Sequence, residues 1–335
     1  MNRNVRIAYI DCARALAIFL VVLGHTISGT VSAFLYSFHM PLFFIISGML
    51  LNNRNNSEIR FADTVKKRAF GYMIPYVIWG CFYSQLNLKN FLKLLYGTRE
   101  CLVAIGSLSS LWFLPVLFCA DIIAECLMYT ITYIAKGKNR QRLLVFSVMV
   151  ASFLTGFILP HIEPYGWPFG LDIGFVALGF MLFGFLVRNF FDFINESRSK
   201  TVICLVVNII LIIIIYRCLW PIENVSMYMG SYGQLMPFLV KAIIESSVII
   251  FIAVLASHLK FAVNWLMLIG ANTMSILVLH KPIVKYLSSK VSAMGCSLES
   301  LKIAIPIAIV GLFLSLIIGM IIEKIIPEIV GKRRR

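Results

Sequence analysis

The chain has 335 residues, of which 60% are hydrophobic and 13% are charged, and its mean hydropathy is +0.90. Soluble domains contain about 45–50% apolar residues, so this composition excludes an ordinary soluble protein. The formal net charge of +15 lies in short segments beside apolar runs, where membrane topology and anionic headgroups account for it without a nucleic-acid partner.

Apolar segments that are long enough to cross a hydrocarbon core of about 30 Å recur along the whole chain. The first contains Asp11 and Arg14 and leads directly into a second apolar run, which is not the pattern of a cleavable signal peptide. No polar stretch reaches the ~50 residues of a small soluble domain. The sequence therefore predicts one all-α integral-membrane domain over residues 1–335. Its ten helices are expected at about 8–28, 32–51, 70–86, 110–135, 143–160, 169–188, 201–219, 236–257, 263–284 and 303–326, the ninth being interrupted by "GANT".

The distribution of Lys and Arg predicts the orientation in the membrane. If the amino terminus is inside, the interior segments contain more than twice as many Lys and Arg residues as the exterior segments. Cytoplasmic loops carry such an excess, so both termini are expected in the cytoplasm. The most basic interior loop contains Arg54, Arg60, Lys66, Lys67 and Arg68.

The first predicted helix carries two ionisable groups within the apolar stretch "RALAIFLVVLGH". Arg14 and His25 are eleven residues apart, which is about three turns and ~16 Å along a helix, and their directions differ by only ~20°. Asp11 lies one turn before Arg14, where the two can pair. This polar stripe is expected to face the helix bundle or a water-filled cavity, since lipid would penalise it. The alternative is that Arg14 reaches the inner surface while His25 lies near the outer headgroups.

The second predicted helix adds another imidazole. It contains "SFHMPLFFIISGML", and His39 is expected at a depth between those of His25 and Arg14. Two histidines and an arginine on adjacent antiparallel helices could line a passage between the two membrane faces. Pro41 and Gly48 would let this helix bend or approach a neighbour closely.

Acidic residues of the fourth predicted helix are expected to be paired inside the protein. Asp121 and Glu125 lie one turn apart and would be unfavourable in lipid if ionised. Arg14 or Lys241 could be their partner.

Three later polar positions have alternative interpretations. Glu245, with Ser246 and Ser247, is expected to bind neighbouring helices together. His280 is expected to be structural or to face the acceptor substrate. Trp112, at the start of the fourth helix, fits an aromatic belt at the outer interface, or stacking on a sugar.

Common soluble catalytic motifs are absent. The five histidines are scattered, and the chain has neither HExxH nor a Cys/His cluster with metal-ligand spacing, so no metal is expected. It also lacks the G-x-S-x-G element of serine hydrolases.

Six stretches, in this order, resemble the membrane-bound acyltransferase-3 family: "YIDCARALAIFLVVLGHT", "FHMPLFFIISGML", "KKRAFGYMIPY", "SLWFLPVLFCADI", "LGFMLFGFLVR" and "IGANTMSILVLHKPI". The resemblance covers nearly the whole chain and implies a core of ten helices. The arginine, ten residues, then histidine of the family's first helix are Arg14 and His25. The chain departs from the family at the pair of arginines that often opens the third helix, because it keeps only Arg68 and has Gly71 at the second position.

The resemblance implies an O-acetyltransferase in the cytoplasmic (inner) membrane of a bacterium. Acetyl-CoA would be the donor, and the acceptor would be a cell-surface polysaccharide or a lipid-linked oligosaccharide. His25 is expected to be the general base or a transient acyl carrier, while His39 orients the acceptor or relays a proton. Arg14, with Lys67 or Arg68, would bind the anionic donor.

Two other classes of function remain as alternatives. A transporter or flippase for a lipid-linked glycan would also need about ten helices with charges inside, although two similar halves are not visible in the sequence. A sensor or assembly subunit without catalysis is the third interpretation. Acetyl transfer to a glycan would distinguish the enzyme from both.

Overall fold

The computed structural model describes residues 7–51, 61–85, 87–103, 110–163, 165–219 and 224–334. Within these ranges the chain is helical and has no β-strand, apart from an isolated bridge between Ser226 and Ser231. Arg54 and Arg60 of the predicted basic loop lie outside the described residues.

The helices follow the predicted apolar segments closely. In chain order they are α1 (Ala8–Gly24), α2 (Thr30–Met49), α3 (Phe61–Arg68), α4 (Ile74–Tyr83), α5 (Leu88–Tyr96), α6 (Arg99–Val103), α7 (Phe113–Ile134), α8 (Lys138–Ile162), α9 (Leu171–Asn195), α10 (Arg198–Ile214), α11 (Leu235–Ser257), α12 (Lys260–Ala271), α13 (Thr273–Ala293) and α14 (Leu301–Ile325). A π-helical turn at Ala69–Met73 joins α3 to α4, so the third predicted span is irregular at its start.

Within the described ranges, seven helical segments are long and apolar enough to cross a membrane: α2, α7, α8, α9, α10 with the π-helical turn that continues it to Arg217, α11 and α14. The pair α12 and α13 would make an eighth span if it crosses as one bent unit. The predicted all-α polytopic membrane architecture is therefore confirmed. The count of ten stays a prediction, because α1, with 17 residues, and α4, with ten, are not among these spans.

The predicted interruption of the ninth span is confirmed. Helices α12 and α13 are bent by 78° at Asn272, whose φ of −114° and ψ of 20° lie outside the helical region. The Asn272 side-chain amide donates to the Leu268 carbonyl at 2.8 Å. This bond satisfies one backbone acceptor at the end of α12, where the helix no longer provides a donor.

The chain divides into two compact units, each assembled from distant segments. The first contains Met1–Ile46, Asn189–Val225 and Tyr232–Met320, and the second contains Ser47–Arg188, Ser226–Ser231 and Ile321–Arg335. In the first unit α1 packs against α11, α12 and α13. The Tyr9 hydroxyl of α1 also donates to Asp192 at 2.6 Å.

Close helix contacts in the second unit depend on glycine. A Cβ atom on Gly48 would overlap the backbone carbonyl of Met181, so α2 and α9 approach each other there. A Cβ atom on Gly156 would lie 2.6 Å from the backbone nitrogen of Val176, on α9. The predicted close approach at Gly48 is confirmed. Small residues allow such backbone contact between membrane helices.

Candidate functional site

The Arg14 side chain forms an ion pair with Asp11, which lies one turn earlier on α1. The guanidinium Nη1 lies 3.6 Å from the Asp11 carboxylate, at the predicted spacing of three residues. The Arg14 side chain is 33% exposed, whereas Asp11 is buried. The pair therefore orients Arg14 and leaves its guanidinium accessible.

His25 is the residue that ends α1. Its φ of −84° and ψ of −8° keep it close to helical geometry, and its backbone N–H donates to the Val21 carbonyl at 3.1 Å. The helical spacing from Arg14 therefore extends to His25, with a rise of ~16 Å and nearly the same direction. The common face predicted for the two residues follows from this backbone. A passage that connects them stays a prediction.

Four aromatic rings in the first unit surround this end of α1; we call them the ring cluster: His25, Tyr36, His39 and His280. The Tyr36 hydroxyl lies 3.3 Å from His25 Nδ1. The His280 ring centroid is 5.1 Å from that of His25, and the His39 centroid is 5.0 Å from that of Tyr36. The cluster joins α1, α2 and α13 and combines three imidazoles with a phenol.

Tautomers within the ring cluster follow from the backbone acceptors. His39 Nδ1 lies 2.5 Å from the Leu35 carbonyl, and His280 Nδ1 lies 2.8 Å from the Leu277 carbonyl. A carbonyl oxygen has no proton to give, so each Nδ1 must be the donor. In the neutral rings, Nε2 of His39 and of His280 then carries the lone pair. That arrangement suits proton acceptance.

The sequence analysis identified some members of the ring cluster and missed others. His25 and His39 were predicted to share a site, and Tyr36 links them in the structure. Tyr36 was missed, although it lies three residues before His39 and thus on the same helical face. His280 was considered only as structural or acceptor-facing, since its position beside His25 depends on the bend before α13.

Glu245 joins helices as predicted. It accepts a hydrogen bond from Ser37 of α2 at 2.8 Å and another from Tyr216, just after α10. Ser247 instead donates to Ile243 within α11, so its predicted role between helices is wrong. The hydroxyl of Ser246 is buried without a hydrogen-bond partner among the described residues. The Glu245 network holds α2, which carries Tyr36 and His39.

The second unit contains its own charged cluster. Arg68 Nε lies 2.8 Å from Asp121, and Arg68 Nη2 lies 4.0 Å from Glu125. The predicted interior pairing of Asp121 is confirmed, but its partner is Arg68 rather than Arg14 or Lys241. Arg68 is bound to carboxylates, whereas Lys67 is exposed. Lys67 is therefore more accessible than Arg68 as a predicted donor-binding cation.

Trp112 does not lie in an exposed aromatic belt, and its alternative role of stacking on a sugar stays a prediction. Its side chain is buried in the second unit, with its ring centroid 5.8 Å from that of Tyr228. A belt residue would be exposed at the interface. In the structure the indole packs inside the protein.

No group of three or more His, Cys, Asp or Glu residues that could hold a metal is found in the part of the chain that the structure describes.

Gly270 allows α12 to contact the amino-terminal part of α1. A Cβ atom at this position would overlap the backbone carbonyl of Asp11. We expect Gly270→Ala to lower the free energy of unfolding by about 1–3 kcal/mol or more, because the backbone atoms of Asp11 cannot move aside as a flexible side chain can. Thermal unfolding of the purified protein in detergent measures this change.

Gly71→Ala is the matched control for that substitution, because no heavy atom lies within 4 Å of a Cβ built on Gly71. It should leave the unfolding temperature close to that of the wild type. Equal unfolding temperatures for the two variants would contradict the close contact at Gly270.

Comparison with known proteins gives one family match. The profile of the acyltransferase-3 family, described as an acyltransferase domain, matches residues 7–324. No curated protein and no solved structure matches the chain.

Proposed function

The chain belongs to the membrane-bound acyltransferase-3 family, and we propose that it is an O-acetyltransferase that uses His25 and Arg14 of α1. It would transfer acetyl from acetyl-CoA to a sugar hydroxyl of an exported or lipid-linked cell-surface glycan. The observation that carries this proposal is the ring cluster at one end of α1, with an accessible arginine three turns away on the same helix. We place the protein in the cytoplasmic membrane of a bacterium, as one domain with both termini inside.

The separation of Arg14 and His25 suits the shape of the donor. Acetyl-CoA carries its phosphates and its thioester at opposite ends of the pantetheine arm. Arg14 would bind a phosphate near the inner side, and the thioester would lie toward His25, ~16 Å further along α1. Asp11 orients the guanidinium, and the exposed third of the Arg14 side chain is what the donor would contact.

His25 would remove the proton that makes a sugar hydroxyl a poor nucleophile. The O–H bond breaks as His25 takes the proton, the oxygen forms a C–O bond to the acetyl carbon, and the C–S bond breaks. The CoA sulfur finally receives the proton. A second route has His25 carry the acetyl group as an acyl-imidazole before the hydroxyl attacks. Tyr36, hydrogen-bonded to Nδ1, can orient the ring in both routes.

The other predicted residues have supporting roles in this proposal. His39, with its Nε2 lone pair, would orient the acceptor hydroxyl or relay a proton. The role of Lys67 in binding the donor stays a prediction. Arg68 is neutralised by Asp121, so we assign it mainly to holding α3 and α7 together.

The test is transfer of acetyl to a glycan. Membranes containing the full chain would be incubated with acetyl-labelled acetyl-CoA and the polysaccharide fraction of cells that lack the gene. We expect alkali-labile label on the polysaccharide, and mass spectrometry of the glycan from cells with the gene should show one added acetyl group per modified residue. Translocation of a lipid-linked glycan without acetyl transfer would overturn the proposal in favour of a transporter.

A further inference from the structure

His280 presents a buried lone pair beside His25. The residue is 0% exposed, and its Nδ1 donates to the carbonyls of Ile276 and Leu277 at 3.0 and 2.8 Å. The proton of the neutral ring is therefore on Nδ1, and Nε2 is the free acceptor. Nε2 has no hydrogen-bond partner among the described residues. A buried polar atom left without a partner is unfavourable and is often retained for function.

The cluster ring that packs against His280 is that of His25. The two imidazole centroids are 5.1 Å apart, and their planes are tilted by 41°. This separation allows a hydrogen bond between ring nitrogens that point toward each other. The χ2 torsion of histidine has broad minima, so rotation of the His25 ring can produce that alignment. The Nδ1 bonds of His280 meanwhile keep its own ring fixed on α13.

We propose that His280 is a positioning residue that acts through His25, with its Nε2 accepting a proton from one ring nitrogen of His25 as the other takes the proton of the acceptor hydroxyl. This inference rests on the proposed O-acetyltransferase function. The hydroxyl O–H bond breaks as an N–H bond forms on one ring nitrogen of His25, and the N–H bond on its other ring nitrogen breaks as an N–H bond forms on His280 Nε2. When the C–S bond breaks, the proton returns through His25 to the CoA sulfur, so no proton is gained or lost.

This relay explains the buried lone pair and its place at the cluster. The imidazolium that forms on His25 during transfer can donate one N–H group to His280 Nε2, which leaves its other ring nitrogen for the acceptor hydroxyl. A base whose charged form is stabilised in this way is analogous to the histidine of a catalytic triad, whose second N–H is held by a carboxylate.

The test uses two substitutions at His280 that both prevent proton acceptance. One keeps a hydrogen-bond acceptor and the other does not. In His280→Gln, the side-chain amide can accept a hydrogen bond but cannot take a proton, and His280→Phe keeps the ring size without nitrogen. We expect both to lower kcat for acetyl transfer by a factor of about 10²–10⁴, with KM for acetyl-CoA within a factor of about two of the wild type.

His161→Gln is the matched control, because His161 also makes an Nδ1 bond to the carbonyl four residues before it but is exposed on α8. It should retain wild-type kcat. If His280→Gln also retains wild-type kcat, the relay is wrong. If the wild type itself transfers no acetyl, the proposed function fails and the relay fails with it.

Should the His280 variants fail to fold, the wild type still tests the relay. The transfer rate would be measured in mixtures of H₂O and D₂O with saturating acetyl-CoA. Two protons moving in the rate-limiting step give a curved dependence of rate on the deuterium fraction, which supports the relay. A linear dependence indicates a single proton and overturns it.

Discussion

His25→Gln is expected to lower the rate of acetyl transfer by a factor of about 10²–10⁴, which is the usual contribution of a general base. Glutamine keeps much of the imidazole's size and its hydrogen-bonding capacity toward Tyr36, but it cannot accept a proton near neutral pH. Labelled acetyl on the polysaccharide fraction, measured over time with equal amounts of folded protein, gives the effect. Because Arg14 is unchanged, the affinity for acetyl-CoA should be preserved.

His258→Gln is the control for His25→Gln, since His258 also ends a helix, α11, but lies outside the ring cluster. It should acetylate the glycan at the wild-type rate. Normal acetylation by His25→Gln would remove His25 from the mechanism. The two routes for His25 can also be separated, because acetyl-CoA without acceptor should leave acetyl on the His25 peptide only if the residue is an acyl carrier.

The largest effect on stability is expected from Arg99→Met, in the second unit. Arg99 is 7% exposed, and its Nη1 lies 3.3 Å from the carboxylate of Asp172, which is 1% exposed. The same nitrogen donates to the Met229 carbonyl at 3.0 Å. Removing the guanidinium leaves the buried Asp172 carboxylate without this partner and the Met229 carbonyl without this donor, so we expect a loss of about 3–5 kcal/mol in the free energy of unfolding.

Thermal and denaturant unfolding in detergent would measure that loss. Arg142→Ala is the control, because Arg142 is exposed and also donates to a backbone carbonyl, that of Leu186, at 3.1 Å. Its effect should be below about 0.5 kcal/mol. The double variant Arg99→Met with Asp172→Asn should lose less stability than the sum of the two single losses, because removing both partners leaves no buried charge unpaired. Additive losses would contradict the pairing.

Short polar helices were the main omission of the sequence-based interpretation. Helices α5 and α6 have nine and five residues, too short for a hydropathy pattern to separate them from a loop. Helix α5 does carry local signals: the Asn87 side chain accepts from the Lys89 N–H at its start, and Gly97 adopts a left-handed conformation at its end. Such capping signals predict the ends of a helix only once a helix is already expected there.

The sequence-based interpretation also did not identify the residues that pair with the buried carboxylates. The chemistry of Asp121 predicts a buried cation, but which cation approaches it depends on how α7 rotates against α3. The same holds for Glu245, whose partners Ser37 and Tyr216 are 208 and 29 residues away. Side-chain pairing between helices is decided by crossing angle and rotation, which the packing of all neighbours determines together.

The order of amino acids alone indicates the membrane class, most of the helix positions, the break before Thr273 and the common helical face of Arg14 and His25. These properties are local: apolar length, residue spacing and glycine or asparagine at a break act within one segment. Only the tertiary structure placed His280 and Tyr36 beside His25 and paired Arg68 with Asp121. Such contacts join side chains far apart in the chain, and their geometry follows from how whole helices pack.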